Sequence, residues 1–63
     1  MRITLKAART NRNLTQGDVA KELNVTKKTV GAWEKGKSMP NVDKIDQLCT
    51  LLGCKYDDIQ WKV

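Results

Sequence analysis

The segment TQGDVAKELNVTKKTVGAWEK, residues 15–35, contains two helix-start signals with a turn signal between them. Thr15 is followed three residues later by Asp18, which is the spacing of a capping box. Thr26 can cap a second helix. Asn24 tolerates a positive φ, so the chain can turn sharply there. This stretch is therefore expected to form a helix, a tight turn and a second helix, which limits how the rest of the chain can pack.

The apolar residues of this segment fall on faces that the two helices can share. Val19, Ala20 and Leu23 form the inward stripe of the first of them. In the next helix, Val30 and Trp33 lie three residues apart and face inward, so Trp33 is predicted to be a core residue rather than a platform for nucleic-acid bases. Ala20 lies where the two helices would cross, and a small side chain is needed there.

Helix signals continue on both sides of this segment, whereas alternating strand patterns are absent. A first helix is expected to begin at Thr4 and to end near Asn13, and a fourth is expected between Asn41 and Gly53. The stretch YDDIQW is expected to add a last helical turn. The sequence thus predicts an all-α fold of five short helices, in one domain that covers residues 1–63.

Basic residues concentrate in two parts of the chain, which has a net charge of +5. Residues 1–12 contain four basic residues and no acid, and residues 27–37 contain four lysines against one glutamate. This distribution indicates a polyanionic partner, and composition alone leaves nucleic acid and an anionic membrane both open. No apolar run has the length of a signal peptide or a membrane span, so a cytoplasmic protein is expected.

The sequence lacks the residues that catalysis and metal binding usually require. There is no histidine, Ser38 is the only serine, and no nucleophile stands with a matched base. Cys49 and Cys54 are the only cysteines, and two sulfurs cannot complete a tetrahedral zinc site. At the end of the fourth helix they fit the two contacting positions of a Schellman cap, and a disulfide is not expected in a reducing cytosol. We expect no enzyme activity, metal, cofactor or small-molecule ligand.

The stretch LTQGDVAKELNVTKKTVGAWEKGKSMPNVDKIDQLCTLLG resembles the phage repressor and Cro family of helix-turn-helix DNA-binding domains. The shared pattern is leucine-threonine-glutamine at the second helix, an alanine, the turn, and a hydroxyl residue at the third helix. An aromatic-glutamate-x-glycine motif, a proline and an apolar fourth helix follow. The resemblance covers about residues 3–60 and implies a lambda-repressor-like fold, with the helix at 26–35 in the major groove. Asn24 replaces the usual glycine, and Lys55 replaces a common serine or threonine cap.

The resemblance also implies which residues contact DNA. Base edges would be met by Lys27, Lys28, Thr29 and Ala32. Phosphates would be contacted by Gln16, Thr26, Lys35, Lys37, Ser38 and Arg12. Lysine can donate to O6 and N7 of guanine, and alanine can contact a thymine methyl group. Because lysine is a flexible point charge, either lysine of the pair could hold phosphate instead, and a lysine pair without this context is usually a solvated face.

Arg9 and Glu34 stand where relatives pair an arginine of the first helix with the glutamate that closes the third. The resemblance implies a partly buried ion pair that fixes the recognition helix. The alternative is two unrelated surface charges, because sequence spacing alone cannot show contact. Together with Ala20, Asn24 and Trp33, these two residues are expected to have structural roles.

These features favour a sequence-specific transcriptional regulator of double-stranded DNA, most simply a repressor of phage or mobile-element type, with no membrane partner. One such domain contacts one half-site, so a homodimer on a pseudo-palindromic operator is expected. Ile59, Trp61 and Val63 could form the dimer contact, although Trp61 could also fold onto its own core. An antitoxin-like protein-interaction module with secondary DNA binding is an alternative. Sequence-independent nucleic-acid binding is another, and the few aromatic residues disfavour an RNA reader.

Overall fold

The structure is a computed structural model that describes residues 2–61. Its helices are α1 (Leu5–Asn11), α2 (Gln16–Leu23), α3 (Lys27–Glu34) and α4 (Val42–Leu52). Two short strands, β1 (Ile3–Thr4) and β2 (Ile59–Gln60), pair in parallel, with Ile3 opposite Ile59 and Thr4 opposite Gln60. A 3-10 turn, Tyr56–Asp58, precedes β2. None of the helices within residues 2–61 has the length and apolarity that a bilayer crossing requires.

The all-α, five-helix prediction is wrong in two respects. Residues 2–61 contain four α-helices, and the stretch YDDIQW forms a 3-10 turn and a strand rather than a fifth helix. Lys55, which precedes the turn, provides no side-chain hydrogen bond to cap a longer helix. Ile59 is then extended and pairs with Ile3. A two-residue strand is too short to show the alternation by which strands are recognised in a sequence.

The predicted helix starts are all present. The side chains of Thr4, Thr15, Thr26 and Asn41 each accept a hydrogen bond from the backbone N–H three residues later. At Thr15 the capping box is complete, because its own N–H donates to Asp18 Oδ2 at 2.9 Å. Hydrogen bonding from the Thr15 backbone N–H, and secondarily from the Thr15 side chain, holds the pKa of the Asp18 carboxyl below its ordinary value. Each such cap typically contributes about 1 kcal/mol, so local sequence accounts for where the helices begin.

The turn between α2 and α3 has the predicted conformation. Asn24 is left-handed, with φ +57°, and ends α2. Directly after it, the Val25 N–H donates to the Ala20 carbonyl at 2.9 Å, which closes the turn. Asparagine tolerates this conformation better than other residues with a Cβ. The chain therefore turns from α2 into α3 in only three residues, 24–26.

The buried apolar side chains form one cluster, to which all four helices and β2 contribute. Its members are Leu5, Ala8, Val19, Ala20, Leu23, Val30, Trp33, Leu48, Leu52 and Ile59. The predicted inward stripes of α2 and α3 are confirmed. Trp33 is only 5% exposed, which confirms it as a core residue.

The C-terminal end of the described chain folds back onto the domain. Ile59 is 2% exposed. The Trp61 ring stacks on Tyr56, with ring centroids 5.6 Å apart, and the indole N–H donates to the Tyr56 carbonyl at 3.2 Å. Of the two alternatives for Trp61, the structure thus shows packing on its own chain. Val63, the third residue considered for a dimer contact, lies outside the described residues.

As expected, the two cysteines lie at the two contacting positions of the Schellman cap that ends α4. Gly53 is left-handed, with φ +66°, and the Cys54 N–H donates to the Cys49 carbonyl at 3.1 Å, which is the longer bond of a Schellman cap. Both thiols are free and half-buried. Burial raises the pKa of both thiols, so they remain protonated near neutral pH.

Candidate nucleic-acid interface

A concave surface of about 310 Å³ lies along the exposed side of α3, next to the start of α2. We call it the basic groove, and its lining residues are Gln16, Lys27, Lys28, Gly31, Ala32, Lys35 and Lys37. It contains four lysines and no acidic residue. A concave surface of one charge sign attracts ligands of the opposite sign, here a polyanion.

Three of the four predicted base-facing residues line the groove. Lys28 and Ala32 are one helical turn apart on α3, and Lys27 lies beside them. Thr29 is not among the lining residues. Its hydroxyl lies 2.9 Å from that of Thr26, and its N–H donates to the same Thr26 oxygen at 3.1 Å. The hydroxyl groups of Thr26 and Thr29 are thus engaged with each other at the start of α3.

The side chain of Lys27 lies along α2. A Cβ built on Gly17 would be 3.7 Å from Lys27 Cδ and 3.9 Å from Lys27 Cγ. These are ordinary van der Waals distances, so the methylene stem of Lys27 lies beside Gly17, where an added methyl group would just contact it. No sequence pattern indicated this proximity, because Gly17 had no expected role.

Gln16 has a role that the sequence did not indicate. Its Nε2 donates to Glu34 Oε1 at 3.0 Å, and the same amide covers Gly31, whose added Cβ would be 3.7 Å from Nε2. The predicted phosphate contact is compatible with this position, because the first N–H groups of a helix have no partner within it. Gln16 therefore connects the start of α2 with the end of α3.

The predicted pair of Arg9 and Glu34 is formed and buried. Arg9 Nε donates to Glu34 Oε2 at 2.6 Å, and the two side chains are 10% and 5% exposed. Arg9 Nη1 also donates to the Leu14 carbonyl at 2.8 Å. With Gln16, the pair joins α1, the start of α2 and the end of α3. This network fixes the orientation of α3 relative to the other two helices.

The residues after α3 are exposed and lie beside the groove. Lys35 ends the helix, and Gly36, with φ +73°, reverses the chain. The Lys37 N–H then donates to the Ala32 carbonyl at 3.0 Å, which holds Lys37 near the helix. Lys35 and Lys37 line the groove, whereas Ser38 is exposed in the loop beyond it.

Arg12 is not brought together with the other predicted phosphate contacts. Its guanidinium Nη1 would be 3.1 Å from a Cβ on Gly53, so it lies against the C-terminal end of α4. A cation at this end of a helix is favoured by the exposed carbonyl groups there. The position of Arg12 is therefore explained by its place beside Gly53 at the C-terminal end of α4.

Lys44 is a structural residue that the sequence analysis missed. Its Nζ donates to the Leu23 carbonyl at 2.6 Å, which ties α4 to the C-terminal end of α2. Leu23 precedes the turn residue Asn24, so this bond supports the turn directly. The two residues are 21 positions apart, and no local pattern relates them.

One family model and two relatives match the sequence of this chain. Residues 5–59 match a family model described as helix-turn-helix. The HTH-type transcriptional regulator MJ0272 of Methanocaldococcus jannaschii is 41% identical over 59 residues, which are 94% of this chain and 89% of that protein. The HTH-type transcriptional activator BcrR of Enterococcus faecalis is 31% identical over 55 residues, which are 87% of this chain and 27% of BcrR.

The helix pair, its three-residue turn and the groove along α3 define a helix-turn-helix domain. The chain belongs to the Cro/C1-type helix-turn-helix family, whose model covers nearly all of it. This confirms the resemblance from which the contact residues were predicted.

Proposed function

We propose that this chain is a sequence-specific transcriptional regulator that places α3 in the major groove of double-stranded DNA. The observation that carries the proposal is the basic groove, which combines four lysines with a small side chain, Ala32, on the exposed side of the second helix of a helix-turn-helix. The similarity to MJ0272, an uncharacterized HTH-type transcriptional regulator, and to BcrR, a transcriptional activator, supports this function.

The proposed contacts follow the positions of the side chains around α3. Lysines of the first turn and Ala32 face base edges, with Thr29 at the margin. Lys35, Lys37 and Ser38 meet phosphates on one side of the groove, and the start of α2 at Gln16 meets a phosphate on the other. Thr26 caps the recognition helix that this arrangement presents to DNA.

We propose that two copies bind a pseudo-palindromic operator, with half-sites about 34–36 Å apart. Met39, Val42 and Tyr56 support this, because they are large apolar side chains that are 48%, 76% and 48% exposed. All three line one shallow depression beside the loop that follows α3. Exposed apolar clusters of this kind commonly mark protein contacts. We therefore propose this cluster, rather than Trp61, as the dimer surface.

We propose repression in the cytoplasm, without catalysis, as the mode of action. A domain that occupies about one turn of duplex per half-site blocks other proteins from that DNA by occlusion alone. Assignment to a phage or mobile element is supported by the family resemblance. A reporter gene with the operator placed over its promoter tests the direction of regulation, because repression lowers its output and activation raises it.

The DNA-binding proposal is tested by selecting bound sites from a random duplex pool at about 150 mM salt, where non-specific contacts are weakened. An enriched pseudo-palindrome supports a dimeric, sequence-specific regulator. Retention without enrichment contradicts sequence specificity. If no duplex is retained, the antitoxin-like protein-interaction module becomes the better hypothesis.

A charge-matched pair of variants tests whether the basic groove is the DNA surface. Lys35→Ala with Lys37→Ala should weaken binding to every duplex and lower the salt slope by about two units. Lys6→Ala with Lys55→Ala removes the same charge from exposed positions outside the groove. Equal losses in the two double variants would show that net charge, rather than the groove, determines binding.

A further inference from the structure

We infer that Cys49 and Cys54 are a site of reversible oxidation, at which they form an intramolecular disulfide that fastens the C-terminal end of α4 to the segment leading into β2. The inference does not depend on the proposed DNA contacts, because neither cysteine lines the basic groove. It assigns a chemical role to two side chains that the proposed function leaves unused.

The Schellman cap at the end of α4 brings the two cysteines together. The Cys54 N–H donates to the Cys49 carbonyl at 3.1 Å, around the left-handed residue Gly53. A bond of this kind joins the two cap positions whose side chains contact each other. A disulfide needs Cα atoms about 4.4–6.8 Å apart, and two residues joined across one turn by a backbone hydrogen bond can meet this requirement without a change in the fold.

The two thiol groups also interact with each other. Burial is the main reason that the pKa of each thiol is raised, and the next influence on each pKa comes from the other cysteine. For Cys49 it is a hydrogen bond with the Cys54 side chain, and for Cys54 it is the charge of Cys49. Groups influence each other in this way only at short range, so the two sulfur atoms lie close together.

The surroundings of the pair favour an uncharged product. Both thiols are half-buried, and after burial and the other cysteine, the Asp58 carboxylate also raises the pKa of each thiol. A disulfide carries no charge and avoids this penalty, whereas a bound metal ion would require two thiolates. Within residues 2–61 no group of three ligating side chains is available to such an ion. Oxidation is therefore the chemistry that suits this site.

Oxidation by a low-molecular-weight disulfide, such as oxidised glutathione, proceeds in two exchange steps. One ionised cysteine attacks a glutathione sulfur, forms a mixed disulfide and expels one glutathione thiolate. The second cysteine then attacks the protein sulfur of the mixed disulfide and expels the second glutathione. Both thiol protons end on the released glutathione molecules, so two cysteines are oxidised while one glutathione disulfide is reduced. Because only the thiolate attacks and burial disfavours it, the reaction should be slow at neutral pH.

The test exposes the whole chain, at low concentration, to oxidised glutathione and then maps the cysteines by mass spectrometry after trypsin digestion. No lysine or arginine lies between Lys44 and Lys55, so residues 45–55 form one peptide that contains both cysteines. We expect this peptide to lose the mass of two hydrogen atoms, to carry no glutathione and to resist alkylation until a reductant is added. Cys49→Ala and Cys54→Ala, which each keep one thiol, should retain a glutathione adduct instead.

Thermal melts test whether the disulfide fits the native fold. The oxidised wild type should keep the circular dichroism spectrum of the reduced protein and melt about 5–15 °C higher, because a cross-link removes conformational freedom from the unfolded chain. Reduction should return the melting temperature to its starting value. The same treatment of the two single-cysteine variants should give no such rise, which separates the cross-link from any other effect of glutathione.

Four results would overturn the inference. A persistent glutathione adduct on the wild type would show that the second sulfur does not reach the first. A cross-link between the 45–55 peptides of two copies would assign the disulfide to a dimer. A lower melting temperature or a changed spectrum after oxidation would show that the cap must break to form the bond. Thiols that stay unreacted, under conditions that oxidise the urea-unfolded chain, would show that burial shields the pair.

Discussion

Glu34→Ala should destabilise this domain more than any exposed substitution, because it removes the acceptor at the centre of the buried network. The Glu34 carboxylate accepts three hydrogen bonds, two from Arg9 and one from Gln16. Its removal leaves the guanidinium, whose side chain is 10% exposed, without its counter-charge. Breaking a buried pair in this way typically costs about 3–5 kcal/mol, whereas breaking an exposed pair costs about 0–1 kcal/mol.

The expected loss is large relative to the total stability of a small domain. At roughly 0.05–0.15 kcal/mol per residue, a chain of this length is stable by only about 3–9 kcal/mol. Because 1 kcal/mol shifts the melting temperature of such a domain by about 4–8 °C, Glu34→Ala should lower it by at least about 12 °C. Helical circular dichroism during heating measures this, and urea unfolding gives the free energy where a folded baseline remains.

Two further variants separate burial of a charge from loss of packing. Arg9→Met combined with Glu34→Leu removes both charges and should recover much of the loss, since apolar replacements of buried pairs are often neutral or stabilising. Asp46→Ala removes an exposed acid from the middle of α4 and should change stability by less than about 0.5 kcal/mol. A Glu34→Ala melt indistinguishable from that of Asp46→Ala would refute the reasoning.

Three other substitutions test single contacts. Gly31→Ala should stabilise α3 by about 0.5–1 kcal/mol in a thermal melt, since the added Cβ would lie 3.7 Å from Gln16 without a clash. Weaker DNA binding in the same variant would show that Gly31 permits close approach of DNA. Lys44→Met should cost about 1–3 kcal/mol in urea unfolding, because the Leu23 carbonyl loses its partner. Thr15 lowers the pKa of the Asp18 carboxyl, so this group contributes stability above pH 3.8, its ordinary pKa, and the contribution is lost as the pH falls through the lowered pKa. Melts below about pH 4 should show this loss in the wild type and not in Asp18→Asn.

The parts of the fold that the sequence predicted depend on short-range contacts. Thr15 and Asp18 are three residues apart, so their capping box could be recognised from spacing alone. Asn24 and Gly53 adopt positive φ because asparagine and glycine tolerate the left-handed conformation better than most residues. The inward face of α3 follows from helical periodicity, which placed Trp33 correctly in the core. Element type and helix ends were therefore accessible without knowledge of the tertiary structure.

What the sequence did not predict depends on residues far apart in the chain. The β1–β2 pair joins Ile3 to Ile59, and two residues per strand leave no periodic signal. The bonds from Gln16 to Glu34 and from Lys44 to Leu23 span 18 and 21 positions. Spacing could not show that Arg9 contacts Glu34, and only the family resemblance implied it. For the same reason the proximity of Lys27 to Gly17 emerged only once the neighbouring helix was known.

The residues that orient α3 and the residues that we propose to read DNA are different sets. Glu34 and Arg9 are buried and hold α3 against α1 and α2, whereas the exposed side chain of Lys28 makes no hydrogen bond or ion pair within residues 2–61. Gln16 belongs to both sets, because one end of α2 contacts Glu34 and borders the groove. If α3 reads DNA as proposed, substitution of Lys28 should therefore change DNA binding with little cost in stability. A change at Gln16 should alter the position of α3 and the shape of the groove together, because this residue bonds Glu34 and lines the proposed DNA surface.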